Sequence, residues 1–301
     1  MPKSRRSKSR AQRVTRAFLR RSPIPSPSSD DDKDARGRVL VVGGGISLPG
    51  AVVLAGIAAL RAGAGKLQIA TCRSIAPLVG VAVPESLSLG LEETPDGVIS
   101  ARAVSSLDPL IDNTDAMLIG PGTKGHDEEI RFISAVLSSC SRVPVILDAG
   151  ALYALENNLT LLHRFDGTAI ITPHAKEMAR ILDIDLNEVM TTPEKIAVDA
   201  AKVLRCVVAL KGSETFIATP DGESYCYDAG DVGLATSGSG DTLAGVVAGL
   251  LARGASPTDA ALWGVFLHGS AGNRLARRIG RIGYLARELL DEVPQVLRSV
   301  S

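Results

Sequence analysis

The segment Ala235-Thr236-Ser237-Gly238-Ser239-Gly240-Asp241-Thr242 sets two glycines before an acid at the expected start of a helix. The missing side chains at Gly238 and Gly240 leave the surrounding N–H groups open. The helix dipole adds roughly half a positive charge at the same point. Such a turn is an anion hole for a transferring phosphoryl group. Asp241, in the first turn, can take the proton of an attacking hydroxyl. The dipole and the nearby N–H groups favour its ionised form. The bland alternative is an aspartate that does no more than begin a helix.

Four other loops carry residues of interest. Gly43-Gly44-Gly45-Ile46-Ser47-Leu48-Pro49-Gly50 lies between an expected strand and an expected helix, where backbone N–H groups can face an anion. It is no Walker A loop, because no Gly-Lys-Ser/Thr closes it, and a strict GxGxxG pattern fails at Leu48. Ile119-Gly120-Pro121-Gly122 allows close backbone approach. Leu147-Asp148-Ala149-Gly150 puts a carboxylate at a strand end. In Thr172-Pro173-His174-Ala175-Lys176-Glu177, His174 and Glu177 are three apart and share a helix face. Tight turns and helix caps are the alternative uses of these same residues.

The elements around these loops alternate. Short apolar runs, of the kind that form buried parallel strands, occur at Val39–Val42, Lys66–Thr71, Ala116–Gly120, Pro144–Leu147, Thr168–Ile171 and Cys206–Leu210. Helical spacing fills 51–63, 127–140, 174–182 and 194–204 between them. Thr215–Thr219 and Ser224–Tyr227 flank Pro220-Asp221-Gly222, which reads as a β-hairpin. Three helices follow, near 241–253, 258–279 and 284–299. The pattern predicts an α/β fold with a mostly parallel sheet, helices on both faces and a late β-hairpin. In such a sheet the loops at the strand C-termini hold the ligand, and all five chemical segments fall in loops of that kind or at the helix start that follows the hairpin.

The chain has 301 residues with 33 basic and 33 acidic side chains, but the balance is uneven. Residues 1–29 carry nine Lys or Arg and no acid, which leaves 24 basic against 33 acidic residues in 30–301, a net of −9. Residues 1–36 are Arg/Ser- and then Pro/Ser-rich and are expected to be a disordered, solvated tail; residues 37–301 form one domain. The Arg- and Ser-rich start also has the look of an organelle transit peptide. Aromatics are 3% of the chain, which disfavours base-stacking nucleic-acid modules. No apolar run reaches the ~18 residues of a membrane span. Cys72, Cys140, Cys206 and Cys226 show no metal-binding or disulfide spacing, which fits a reducing compartment. The expected location is cytoplasmic, with no membrane and no specific nucleic-acid partner.

The Gly-x-Gly-Asp core at a helix start resembles that of ribokinase-like phosphotransferases, which implies a three-layer α/β/α fold. The ordered set is more specific. It runs Pro49-Gly50-Ala51, Leu60-Arg61-Ala62-Gly63-Ala64-Gly65, Gly120-Pro121-Gly122, Leu147-Asp148-Ala149-Gly150, Thr172-Pro173-His174 with Glu177, Leu210-Lys211-Gly212 and Gly238-Ser239-Gly240-Asp241. Over about residues 38–300 this resembles the ADP-dependent NAD(P)H-hydrate dehydratase family. The resemblance implies repair of the S-epimer of hydrated NAD(P)H (NAD(P)HX) to NAD(P)H, with ADP converted to AMP and phosphate. Phosphorylation of the C6 hydroxyl would turn a poor leaving group into a good one.

The same resemblance implies site residues. Ala51, Gly122 and His174 would contact the hydrated dinucleotide. Lys211-Gly212-Ser213-Glu214-Thr215 would bind the nucleotide, and Gly240 would contact AMP. Asp241 would touch the substrate hydroxyl as catalytic base. Mg²⁺ would accompany ADP, with no protein residue assigned as its ligand. A homotetramer, and functional pairing with a separate NAD(P)HX epimerase, are implied as well. Gly-Ser-Gly-Asp, where ATP-using eukaryotic relatives carry Gly-Gln-Gly-Asp, points to ADP as the donor. Ser237, Asp231 and Gly45 depart from the family pattern without removing the base. The competing function is a ribokinase-like kinase for a thiazole or pyrimidine alcohol; Thr172-Pro173-His174 with Pro49-Gly50-Ala51 argues against it.

Overall fold

The computed structural model describes residues 11–25, 32–140, 142–156 and 158–300. Its ten strands are β1 (Gln12–Arg13), β2 (Arg38–Val42), β3 (Lys66–Cys72), β4 (Ser86–Leu91), β5 (Ala116–Ile119), β6 (Val145–Leu147), β7 (Ile170–Ile171), β8 (Val207–Leu210), β9 (Thr215–Ala218) and β10 (Ser224–Tyr227). They form one sheet in the order β1-β10-β9-β8-β7-β6-β5-β2-β3-β4. Among the described strands, β8–β9 and β9–β10 pair antiparallel and the others parallel; the antiparallel pairs are the expected hairpin and its attachment.

Alternation along each strand feeds two cores. Val39 and Val41 of β2 face one side, Leu40 and Val42 the other, because successive side chains point to opposite faces. The first side is covered by the helices Gly50–Arg61, Ser239–Ala252, Pro257–Arg278 and Ala286–Val300. The second is covered by Asp127–Ser139, Ala175–Leu182 and Pro193–Leu204. This is the predicted three-layer α/β/α arrangement. Glycine lets two of the helices approach closely: a Cβ on Gly245 would lie 2.1 Å from the Ala55 carbonyl oxygen. The Ser239–Ala252 helix, which carries Asp241, is thereby seated against the Gly50–Arg61 helix, whose first turn holds Ala51.

From β2 the chain runs outward to β3 and β4, then returns to β5 on the other side of β2. The strand order therefore reverses between β2 and β5, the position at which an open α/β sheet holds its ligand.

Three elements differ from expectation. Ser86–Leu91 forms edge strand β4, whose Leu/Ser alternation is only partly buried, and Ala76–Ala82 and Leu186–Thr191 are short helices. The larger correction concerns the tail. Residues 11–25 are not a solvated extension. β1 pairs parallel to β10, and Val14, Leu19 and Ile24 are buried at 4%, 0% and 8% exposure. The indole Nε1 of Trp263 donates to the Ser22 carbonyl at 2.8 Å, and Arg253 Nη2 donates to the Pro25 carbonyl at 2.6 Å. A few apolar residues at irregular spacing among arginines give no periodic signal, yet each finds a slot on the folded body. Residues 1–10 and 26–31 of that expectation lie outside the described residues.

Candidate active site

The C-terminal ends of β2, β5, β6, β7 and β8 lie side by side along one edge of the sheet, and each leads into one of the segments singled out above. At the reversal point the walls are backbone. Gly44 N–H donates to the Pro121 carbonyl at 2.7 Å and ties the two glycine loops together. Gly122 has φ +76°, and a Cβ there would stand 2.7 Å from the Leu48 carbonyl oxygen and 3.0 Å from Ala51 Cβ. Ala51 and Gly122, which share no sequence proximity, are thus neighbours where the strand order reverses.

Farther along the edge the walls are charged. Asp148, following β6, is buried and accepts hydrogen bonds from Lys211 Nζ at 2.8 Å and Thr172 Oγ1 at 2.6 Å. Ala149 beside it is held at φ +50°, a left-handed conformation that costs a non-glycine residue on the order of 1 kcal/mol. Lys211 N–H donates to the Pro173 carbonyl at 2.8 Å, so the β7 and β8 ends hold His174 and Lys211 in adjacent register. Burial opposes the Lys211 charge, but Asp148, Glu177 and Asp241 around it outweigh burial and hold the ammonium above its ordinary range. Burial pushes the Glu177 carboxyl up, against the pull of Lys211.

His174 and Glu177 form a capping box. Glu177 N–H donates to His174 Nδ1 at 3.1 Å, and His174 N–H donates to Glu177 Oε2 at 2.7 Å. The capping use of this pair is therefore real, and it does not exclude a second role. Nδ1 is thus the accepting nitrogen, which leaves Nε2 to donate, and the side chain is half exposed.

The Gly238–Asp241 turn faces this charged group. Gly238 has φ +85° and caps the helix in a left-handed conformation. Gly240 is different: a Cβ on it would meet only Lys211 Nζ at 3.5 Å and an Asp148 oxygen at 3.8 Å. The fold does not require glycine there. What a side chain would occupy is the space between the turn and the lysine. Ser239 Oγ is fixed by a 2.9 Å hydrogen bond to the buried His268 Nε2. Burial pushes His268 down to about 4, so the ring is neutral at pH 7.

Asp241 corrects one expectation. Its carboxyl is not favoured in the ionised form: burial, and then the charge of Asp148, push it up to about 7, against the pull of Lys211. The helix start is outweighed because a second carboxylate lies within the same low-dielectric pocket. An acid poised near neutrality suits proton transfer.

A cavity of about 1100 Å³ opens beside Lys211. Lys211, Gly212, Ser213 and Glu214 line it on one side, and the Thr191–Lys195 stretch on another. Thr215 departs from the expected nucleotide-binding set. It opens β9 opposite Tyr227, so its side chain lies on the sheet face away from Phe216 and the cavity. Among the described residues, no group of three or more His, Cys, Asp or Glu side chains is placed to hold a metal. The four cysteines are free and buried.

Ala51 and Gly122 are thus brought together at one end, and His174, Lys211, Gly240 and Asp241 at the other. The sequence presents Asp148 as no more than a carboxylate at a strand end, although a buried acid there needs a partner, and it gives His268 no role. Nothing local to His268 marks it.

A model of the NAD(P)H-hydrate dehydratase family matches residues 39–295. The ADP-dependent (S)-NAD(P)H-hydrate dehydratase of Xanthomonas campestris pv. campestris is 46% identical over 288 residues, spanning 96% of each chain. A bifunctional NAD(P)H-hydrate repair enzyme of Moorella thermoacetica is 38% identical over 96% of this chain, which spans 54% of that protein. The crystal structure of the ADP/ATP-dependent NAD(P)H-hydrate dehydratase of Bacillus subtilis, co-crystallised with ATP and Mg²⁺, superposes with a TM-score of 0.85 at 31% identity, covering 97% of this chain and 99% of that one.

Proposed function

We propose that Asp241 is the base, Lys211 and the Gly238–Gly240 turn the phosphoryl site, and the β2 and β5 loops the dinucleotide site of this chain, which belongs to the NAD(P)H-hydrate dehydratase family and carries out the ADP-dependent dehydration of (S)-NAD(P)HX to NAD(P)H. The observation that carries this assignment is the convergence of Asp241, Lys211 and Asp148 on the one space that a Gly240 side chain would fill.

The C6 hydroxyl of the hydrated ring gives its proton to the Asp241 carboxylate. Its oxygen bonds to the terminal phosphorus of ADP as the bond from that phosphorus to AMP breaks. Lys211, kept cationic by its three carboxylates, offsets the charge that grows on the transferring group. Asp148 and Thr172 fix where that ammonium sits. Phosphate then leaves C6 with the electron pair of the C–O bond, the neighbouring carbon gives its proton to solvent, and the electrons of that C–H bond restore the ring double bond. His174 Nε2–H and the backbone at Gly122 and Ala51 orient the dinucleotide. Mg²⁺ entering with ADP would offset phosphate charge. The carboxylates of Asp148 and Glu177 suit a cation carried in by the nucleotide, since Mg²⁺ commonly takes one or two carboxylates plus phosphates and water.

Pairing with an epimerase is supported by the bifunctional relative. A homo-oligomer, up to the homotetramer that the family resemblance implies, is supported by Leu78, Val81 and Leu87, which stand 67%, 83% and 52% exposed at the β4 edge. Among the described residues no helix is long and apolar enough to cross a membrane; the buried free thiols support a cytoplasmic location. The direct test is recovery of reduced-nicotinamide absorbance from hydrated NADH. Recovery is expected with ADP, and none without a nucleotide. Recovery that needs no nucleotide would overturn the reading.

A further inference from the structure

The cavity beside Lys211 has a floor made of one transverse row of the sheet. Leu210 of β8 pairs with Phe216 of β9, Phe216 with Cys226 of β10, and Cys226 with Arg13 of β1. Directly paired residues project to the same face, and all four line the cavity. Adjacent strands are about 4.8 Å apart, so the row runs about 14 Å from Leu210 to Arg13. Lys211 and the Gly238–Asp241 turn stand at its inner end. A nucleoside diphosphate with its terminal phosphate at that turn must lay its nucleoside over Phe216 and Cys226, toward Arg13.

We infer that the N-terminal strand is part of the nucleotide site and that Arg13 contacts the nucleoside end of ADP. The inference rests on ADP occupying this cavity. Three observations support it. β1 is fixed rather than loose: Val14 N–H donates to the Cys226 carbonyl at 2.8 Å, and Val14, Leu19 and Ile24 anchor the segment. Arg13 pairs with Asp228, which aims the guanidinium, yet the side chain remains 70% exposed. One surface ion pair of this kind contributes little to stability, while it leaves further N–H donors and a planar face free. A guanidinium stacks on aromatic planes and donates to ring and ribose acceptors. Met190, 59% exposed on the opposite wall, supplies an apolar cover for a base.

The test is titration calorimetry of the full chain and of Arg13→Ala with ADP, AMP and inorganic pyrophosphate. ADP and AMP should each bind the variant about tenfold more weakly. Pyrophosphate, which reaches only the inner end, should bind unchanged, and Tm should stay within about 2 °C because the residue is exposed. Unchanged ADP and AMP affinities would overturn the inference. Equal weakening of all three ligands with a lower Tm would mean a loosened strand rather than a contact, and would overturn it as well. Failure of the underlying site assignment looks different: ADP affinity would then survive both Lys211→Met and Gly240→Val.

Discussion

At the β2/β5 end of the active edge the walls are backbone: the loops of Gly44, Pro121 and Gly122, tied by the Gly44 N–H bond to the Pro121 carbonyl, with only the methyl group of Ala51 between them. At the β7/β8 end they are charges: Asp148, Lys211, Glu177 and Asp241, each altering the ionisation of its neighbours. The contrast follows the two tasks. In the proposed assignment the dinucleotide, anionic through its pyrophosphate, is held here by shape. A phosphoryl group in transit needs a cation whose charge is assured and an acid that can change its protonation. The two ends should therefore fail in different ways when mutated.

The largest separation is expected between Lys211→Met and Gly122→Ala. Losing the lysine leaves Asp148 buried without its cation, a change of about 3–5 kcal/mol. Turnover and ADP affinity should both collapse, with KM for hydrated NADH little changed among the molecules that fold. Gly122→Ala forces a Cβ into a left-handed residue against the Leu48 carbonyl. It should raise KM for hydrated NADH and leave ADP affinity alone. Steady-state kinetics in both substrates checks the split; equal effects on both substrates from either variant would erase the distinction.

Gly240→Val sharpens the comparison inside the charged end. A Cβ on Gly240 meets nothing closer than 3.5 Å, so Tm should hold, while ADP affinity should fall at least about tenfold because the side chain takes the phosphate's place. Gly238→Ala should do the reverse, lowering Tm through its φ of +85° at a cost of about 1 kcal/mol. Calorimetry and thermal melts on the pair separate the two glycines.

Deleting residues 1–25 should lower Tm by roughly 10 °C, since it exposes the slots of Val14, Leu19 and Ile24, each side chain worth about 1.5–3 kcal/mol on full burial. An unchanged melt would return these residues to the solvated tail that their composition suggests.

The smallest effect concerns stability against pH. In the fold the Asp241 carboxyl stands at about 7, above its unfolded value of 3.8. The folded state thus binds more proton across that interval, and stability falls as pH rises from about 4 to 7. Asp241→Asn removes the loss. The variant should melt a few degrees higher than the parent at pH 8, with the gap closing toward pH 4. Asp148 and Lys211 bear on the same carboxyl, so the comparison is best made with both intact.

Most of the sheet was legible because its strands are short apolar runs separated by glycine loops and helical spacing. The hairpin was legible from Pro220-Asp221-Gly222. Strand β4 was not, because an edge strand half open to solvent has no continuous apolar run. The 11–25 segment was not, because its burial depends on slots formed by Trp263, Arg253 and β10, far away in sequence. In the site, Gly-x-Gly-Asp could be read locally. The ionisation of Asp241 could not, since it depends on Asp148 arriving from another strand.

The central claim is that Asp241 moves the proton. The most direct measurement is turnover of hydrated NADH with ADP by Asp241→Asn, beside calorimetric ADP binding by the same protein. The substitution keeps shape and removes the base, which is worth about 10²–10⁴ in rate. Turnover should fall by that factor while ADP still binds, because the Gly238–Gly240 N–H groups and Lys211 remain. Near-normal turnover by a folded, ADP-binding Asp241→Asn protein would contradict the account.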